Sequence, residues 1–240
     1  MNKLHVLSGG AAQGLVMNLA PAFTATTGLQ IEGEFGAVGA MAEKLRNGAA
    51  ADAVILTSAL VATLAAEKLV SSASVRDIGL VETALAVRAG DPPVAAKDAA
   101  SLREALRAAD AIFVPDTKAS TAGIHVAKVL EQLGIAGEVE PSLRIFPNGA
   151  TAMRHLAESD ARRPIGCTQS TEIIATNGVV LSGSLPPGCA LATLYTAAVT
   201  TRSSAAPAAE RLIDLLTAAE AGEARGRAGF VPVSSDINLS

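Results

Sequence analysis

The chain has very few aromatic residues and cysteines. Its 240 residues include no Trp, one Tyr and five Phe, and the two cysteines are Cys167 and Cys189. These cysteines form no CxxC pattern and have no histidine pair nearby, so we expect no metal site. Their spacing leaves open whether the two thiols pair. No P-loop and no G-x-S-x-G motif is present, so we expect no cofactor and no covalent hydrolase.

Long basic runs and long apolar runs are also missing. The longest basic cluster is Arg162-Arg163, and the net charge is only −4, so we expect no nucleic-acid partner. No stretch reaches the roughly 20 apolar residues of a membrane-spanning helix, so we expect no membrane-embedded segment.

The first strand leaves no room for a leader's apolar core of about 7–15 residues. We therefore expect a cytoplasmic protein as the sequence is written, or a periplasmic one if an export leader has been removed.

Strand and helix patterns alternate along the chain. Ala, Val and Leu dominate the hydrophobic half of the composition, and such alternation predicts an α/β fold with mostly parallel sheets flanked by helices. The predicted strands are Leu4–Leu7, Gln30–Glu34, Ala53–Leu56, Gly79–Arg88, Ala111–Val114, Ser142–Phe146, Pro164–Thr168 and Ala190–Thr200. The predicted helices are Leu15–Thr26, Met41–Asn47, Ser58–Lys68, Leu102–Ala108 (with Ser101 and Glu104 as a capping box), Gly123–Leu133, Thr151–Ala157, Ser170–Ala175 and Ala208–Ala219.

Two long extended runs divide this pattern into two lobes. Residues 1–80 plus 200–240 are predicted to form lobe one, and residues 85–190 lobe two, with crossings near 80–88 and 190–200. A protein with two lobes and two crossings is expected to close around a ligand by a hinge motion.

Small residues precede four of the predicted helices. A helix that starts this way presents bare N–H groups and partial positive charge, which suits an anion. We therefore predict a small anionic ligand. The four segments are Ser8-Gly9-Gly10-Ala11-Ala12, Phe35-Gly36-Ala37-Val38-Gly39, Ser120-Thr121-Ala122-Gly123 and Asn148-Gly149-Ala150.

Several segments that together span nearly the whole chain carry a resemblance to a known family. They include LAPAFTATTGLQIEGEFGAVGAMAEKLRNGAAADAVIL, STAGIHVAKVLEQLGI, RPIGCTQSTEI and AAPAAERLIDLLTAAEAGEARGRAGFVPV. They resemble the periplasmic molybdate-binding proteins, which are class II solute-binding proteins. The resemblance implies a two-lobed fold that closes on its ligand and, if the protein is exported, a membrane permease of the ABC transporter type as partner.

The chain departs from this family where the ligand would bind. Ala11 and Val38 stand where molybdate binders carry serines, and Gln169 stands where they carry a tyrosine. Loss of two charge-assisted hydrogen bonds, of about 1.5–3 kcal/mol each, disfavours molybdate. The mixture of hydroxyl, amide and ionisable side chains suits an organic carboxylate; besides Ser8 and Gln169 these are Ser58, Lys118, Ser120, Thr121, Asn148 and Ser170.

Some relatives of the molybdate binders are enzymes, the aconitate isomerases, and this chain resembles them in its small-residue first loop. The resemblance implies an alternative function, the cis/trans isomerisation of an unsaturated polycarboxylate by an allylic proton shift. His125 or Glu172 would then move the proton, with Lys118 holding a carboxylate. Each residue has a structural alternative: a hydrogen-bonded helix residue for His125, a first-turn partner of the helix dipole for Glu172, and a solvated loop side chain for Lys118.

Overall fold

The computed structural model describes residues 3–233. Within them the chain divides into two compact units. The first consists of residues 3–35, Ala40–Val81 and 193–233, and the second of Gly36–Gly39 and Glu82–Ala192. The short segment Gly36–Gly39 therefore groups with the second unit, although its position in the sequence places it inside the predicted lobe one.

The strands and helices alternate as the sequence predicts. The strands are β1 (Lys3–Gly9), β2 (Gln30–Gly36), β3 (Ala53–Thr57), β4 (Arg76–Arg88), β5 (Ala111–Pro115), β6 (Leu143–Phe146), β7 (Pro164–Gln169), β8 (Val179–Ser184) and β9 (Ala192–Val199). The helices are α1 (Gln13–Thr27), α2 (Val38–Arg46), α3 (Ser58–Ala66), α4 (Ala99–Ala108), α5 (Thr121–Gln132), α6 (Ala136–Val139), α7 (Gly149–Ala157), α8 (Ser170–Ile174), α9 (Ala206–Thr217) and α10 (Gly222–Arg227).

The sheet of the first unit has the strand order β2-β1-β3-β9, and the first part of β4 lies next to β9. β1 and β3 run parallel, with Val6 opposite Ala53. β3 and β9 run antiparallel, with Val54 opposite Ala198. Every residue of β3 is buried, which confirms its prediction as a fully buried strand from an apolar run without alternation.

The sheet of the second unit contains the later part of β4, then β7, β5 and β6, and β8 also pairs with β4. β5 is parallel to both β6 and β7, whereas β4 is antiparallel to β7 and to β8. Both sheets are therefore mixed: the strands joined through helices pair in parallel, and the long strands that enter or leave a unit pair antiparallel to them.

One local expectation is corrected, the start of α4 and its capping box. Helix α4 begins at Ala99, not Leu102, because Asp98 is its N-cap and forms a capping box with Ser101. Ser101 is therefore the N3 residue of the box and not its first member. Strand β8 and the short helices α6 and α10 were not predicted. Both cysteines are buried and free, and both belong to the apolar core of the second unit that packs under α5.

Candidate functional site

The candidate site lies in the second unit, where the parallel strands β5 and β7 end. In open α/β sheets, ligands bind beyond the carboxyl ends of the strands. The loop after β5 is fixed by Asp116, whose side chain accepts hydrogen bonds from the N–H groups of Lys118 (2.7 Å) and Ala119 (2.9 Å). The ammonium-bearing side chain of Lys118 is exposed.

Helix α5 starts at the end of this loop without a side-chain cap. Ser120 is the N-cap residue, but its hydroxyl makes no capping hydrogen bond, and the first turn contains no acidic residue. Gly123 is required here, because a Cβ atom would collide with the carbonyl oxygens of Pro115 and Asp116. The helix dipole of this 12-residue helix is therefore not balanced by an acidic side chain at its start.

A group of buried polar side chains at and near the end of β7 has unsatisfied hydrogen-bonding atoms. Gln169 ends β7 and is only 3% exposed, yet neither its amide nitrogen nor its amide oxygen has a partner. The hydroxyl groups of Thr83 and Thr171 are likewise buried without a partner. Buried polar groups are almost always hydrogen-bonded in folded proteins. Thr171 is two residues after Gln169 in the sequence, and Thr83 pairs with Gln169 in the sheet. Three unsatisfied side chains grouped in this way indicate a binding site.

Thr83 and Gln169 are neighbours on one face of the sheet. They lie directly opposite each other in the β4–β7 pair, and opposed residues of an antiparallel pair have Cβ atoms about 4.5–5.5 Å apart. Cys167, two residues before Gln169, lies in the core under α5. Because side chains alternate along a strand, Gln169 and Thr83 also face the α5 side.

His125 lies on α5, one turn after its start. Its Nε2 atom is 2.8 Å from the carbonyl oxygen of Cys189. A carbonyl oxygen only accepts, so Nε2 carries a hydrogen and, in the neutral ring, Nδ1 keeps the free lone pair. The segment that supplies this carbonyl makes two backbone hydrogen bonds with Thr83. The N–H of Leu185 donates to the carbonyl oxygen of Thr83 (3.3 Å), and the N–H of Thr83 donates to the carbonyl oxygen of Leu191 (2.9 Å).

Glu172 lies on the side of the sheet opposite α5, against α7. Thr168 donates a 2.6 Å hydrogen bond to its Oε2 atom, and the N–H groups of Gly149 and Ala150 also bond its carboxyl group. A Cβ atom on Gly149 would collide with Glu172 and Thr168, so glycine is needed for this approach. Burial raises the pKa of Glu172, although these hydrogen bonds act in the opposite direction.

The N-terminus of α7 is therefore satisfied from within the protein. Besides the two N–H groups that bond Glu172, the side chain of Asn148 accepts a 2.8 Å hydrogen bond from the N–H of Thr151. The predicted ligand role of Asn148 and Gly149 thus competes with bonds that already exist. Of the two proton carriers considered, Glu172 is engaged by α7 and His125 by the segment opposite α5.

The remaining predicted residues lie elsewhere. Val38 and Gly39 start α2 and group with the second unit, where a Cβ atom on Gly39 would lie 3.4 Å from the carbonyl oxygen of Ala119. Ser170 is buried in the first turn of α8. The others, Ser8, Gly9, Gly10, Ala11 and Ser58, belong to the first unit.

The predicted residues of the first unit lie at one edge of its sheet, because β1 and β3 are parallel neighbours. Ser8 is fully buried and its hydroxyl donates to the carbonyl of Gly9 at 2.9 Å. A short 3₁₀ turn, Gly10–Ala12, then leads into α1, and neither it nor α1 has a side-chain cap. Ser58 begins α3 directly after β3.

A pocket within the second unit lies away from this site. It has a volume of about 520 Å³ and is lined mainly by apolar residues, among them Val87, Ala105 and Pro164. Ala109 and Pro164 place it where β5 and β7 begin, at the opposite end of these strands from Gln169. It contains none of the predicted site residues.

Residues 3–233 include no helix with the length and apolar character needed to cross a membrane. Within the same range, no three or more His, Cys, Asp or Glu side chains are placed to share a metal ion.

Comparisons with known proteins agree with this architecture. Residues 4–231 match a family described as bacterial extracellular solute-binding protein. An aconitate isomerase from Pseudomonas sp is 26% identical over 241 residues, covering 96% of this chain and 88% of that protein. The periplasmic molybdate-binding protein of Azotobacter vinelandii superimposes with a TM-score of 0.81 at 18% identity, covering 96% of this chain and 100% of that one.

A second solved structure, the sulfate-binding protein SubI from Mycobacterium tuberculosis H37Rv, gives a TM-score of 0.74 at 18% identity and covers 98% of this chain and 88% of its own. The predicted α/β fold of the type II periplasmic-binding-protein kind is confirmed by these neighbours, and so is the resemblance to the molybdate-binding group. At 18% identity these two structures show the fold.

Proposed function

Because the chain belongs to the bacterial extracellular solute-binding protein family, we propose that it binds a small organic carboxylate at the start of α5. The main support for this proposal is the buried side-chain amide of Gln169, which has no hydrogen-bond partner and lies beside the uncapped start of α5. The helix start favours negative charge, and the amide adds a directional hydrogen-bonding group that distinguishes one end of an organic molecule from the other.

The residues that would bind the ligand are Ser120–Gly123, Gln169 and Thr171. The N–H groups at the start of α5 would bond a carboxylate, with Ser120 hydroxyl as a further donor. Val38 of the same unit carries no hydroxyl, which supports a carboxylate over molybdate. Lys118 is exposed on the same loop and would add attraction at longer range.

Family membership supports a transport role, which extends the same proposal. As a solute-binding protein outside the cytoplasm, the chain would deliver its carboxylate to a permease of the ABC transporter type. Neither role requires a metal ion or an organic cofactor in the site.

Calorimetric titration tests the ligand class. We expect di- and tricarboxylates to bind with micromolar or tighter dissociation constants, and molybdate, tungstate and sulfate to give no measurable heat. Replacing Gln169→Leu should weaken binding of the tightest-binding carboxylate by at least about tenfold. The matched control is Gln30→Leu, on the exposed start of β2. Tight binding of molybdate without any response to carboxylates would overturn the proposal.

The similarity to an aconitate isomerase favours one second candidate, an enzyme that isomerises an unsaturated polycarboxylate. In that reaction a proton leaves one carbon of the allylic system and a proton is delivered to another, so the formula of the acid is unchanged. His125 is the better proton carrier, because its Nδ1 atom is free in the neutral ring, whereas the carboxyl group of Glu172 is bonded by α7.

A further inference from the structure

The unsatisfied atoms of Thr83 and Gln169 specify the chemistry of the ligand more closely. We infer that the ligand is a hydroxycarboxylate, and that Thr83 and Gln169 bind its hydroxyl group. The inference rests on the proposed function, since it assumes that a carboxylate binds at the start of α5. Thr83 was not among the residues that the sequence singled out.

Both side chains are buried and both are without partners. Thr83 is 1% exposed and Gln169 is 3% exposed. The unpartnered atoms are the hydroxyl oxygen of Thr83 and both Nε2 and Oε1 of Gln169. Their positions opposite each other in β4 and β7 place the two groups within reach of one small ligand atom.

The amide of Gln169 requires both a donor and an acceptor from whatever binds it. Its nitrogen donates and its oxygen accepts, and this holds whichever way the amide is turned. A carboxylate, sulfate or molybdate ion only accepts, so it would satisfy the nitrogen and leave the oxygen unpaired. A buried acceptor left unpaired lowers affinity by roughly tenfold to a hundredfold.

A hydroxyl group satisfies all of these atoms. Its oxygen has two lone pairs and accepts hydrogen bonds from both Gln169 Nε2 and the hydroxyl of Thr83, and its hydrogen is donated to Gln169 Oε1. Because Gln169 is the last residue of β7, the strand that neighbours β5, the hydroxyl would lie close to the carboxylate bound at Ser120–Gly123. A 2-hydroxy acid, with these groups on adjacent carbons, has this arrangement.

Matched pairs of acids test the inference with the unaltered protein. Malate and succinate differ by one hydroxyl group at equal charge, and so do citrate and tricarballylate. In calorimetry at neutral pH we expect the hydroxylated member of at least one pair to bind about tenfold tighter or more. Equal affinities within both pairs would overturn the inference and leave the proposed function standing. Absence of binding by every carboxylate would overturn both.

Two variants test whether Thr83 and Gln169 cause the preference for the hydroxylated acid. Thr83→Val removes only the hydroxyl group at nearly constant shape, and Gln169→Leu removes the amide. We expect either change to reduce the preference for the hydroxylated acid by about tenfold, with a smaller effect on succinate or tricarballylate. Thr63→Val, at an exposed position of α3, is the matched control. A preference that survives in both variants would contradict the assignment, and the unaltered protein still tests the inference if a variant does not fold.

Discussion

At the scale of a single residue, Glu172 is a buried carboxyl group whose burial raises its pKa. In the folded protein it binds its proton more tightly than in the unfolded chain. The free energy of unfolding therefore falls as pH rises above the ordinary glutamate pKa of 4.5, and it stops falling once pH passes the raised pKa.

Glu172→Gln removes this titration and keeps the shape of the protonated acid. We predict that the variant gains stability relative to the unaltered protein as pH rises above 4.5, by up to about 1.4 kcal/mol per pH unit within the titration window. Urea unfolding at a series of pH values measures the difference. Glu104→Gln, at an exposed position on α4, should give a profile parallel to the unaltered protein. Parallel profiles for Glu172→Gln as well would contradict the prediction.

The sequence could indicate Gln169 but not Thr83. Gln169 follows a short buried strand and precedes a run of polar residues, a pattern typical of a loop that binds a ligand. Thr83 lies within a long, mostly apolar strand, where threonine is a common residue. Its importance arises from its register with Gln169, and the register of two strands 86 positions apart is set by packing that the local sequence does not encode.

At the scale of elements, Asp52 connects β1, β3 and the start of α9. One of its carboxyl oxygens accepts the N–H of His5 at 2.9 Å. The other accepts the hydroxyl of Ser203 at 2.8 Å and the N–H groups of Ser204 and Ala205 at 3.0 and 3.1 Å. Burial alone would raise the pKa of Asp52, but these hydrogen bonds outweigh it and lower the pKa below its ordinary 3.8.

We predict that Asp52→Asn lowers the free energy of unfolding by about 1–3 kcal/mol at neutral pH, because buried donors lose their charged acceptor. The lowered pKa means that this contribution is present above pH 3.8 and is lost as pH falls through the folded-state value. Urea unfolding at pH 7 measures the loss of stability, and a series at progressively lower pH measures how that loss disappears in acid.

Asp110→Asn is the matched control for Asp52→Asn. Asp110 forms an exposed 3.2 Å ion pair with Arg163, and such pairs contribute about 0–1 kcal/mol. A loss at pH 7 no larger than that of the control, or a loss that persists unchanged in acid, would show that Asp52 does not stabilise these elements as described.

Elements with a strong periodic or apolar pattern were predicted, and β8 was not. Val179–Ser184 is a strand whose side chains are half-buried or exposed, including Val180 and Leu181 at 48% and 40% exposure. It exists because β4 offers a free edge with which it pairs, through a register shift at Leu85/Ala86. Such pairing depends on the partner strand more than on the segment's own sequence.

At the scale of the whole molecule, the fold follows from the sequence far better than the function does. The alternation of strands and helices extends over the chain, so many weak signals agree. Function depends on a few side chains at the strand ends, and the same fold supports binders and enzymes. The neighbours of this chain include both a molybdate-binding protein and an aconitate isomerase.

Measuring the turnover of aconitate distinguishes a binding protein from an isomerase. We expect cis- and trans-aconitate incubated with the protein in deuterated water to remain unchanged by NMR, because a binding protein needs no proton transfer. Aconitate also has no hydroxyl group for Thr83 and Gln169, so it should bind more weakly than citrate. Formation of the other isomer would assign catalysis instead. In that case His125→Asn should slow the reaction by about 10²–10⁴-fold, whereas His5→Asn, in β1 of the first unit, should leave it unchanged.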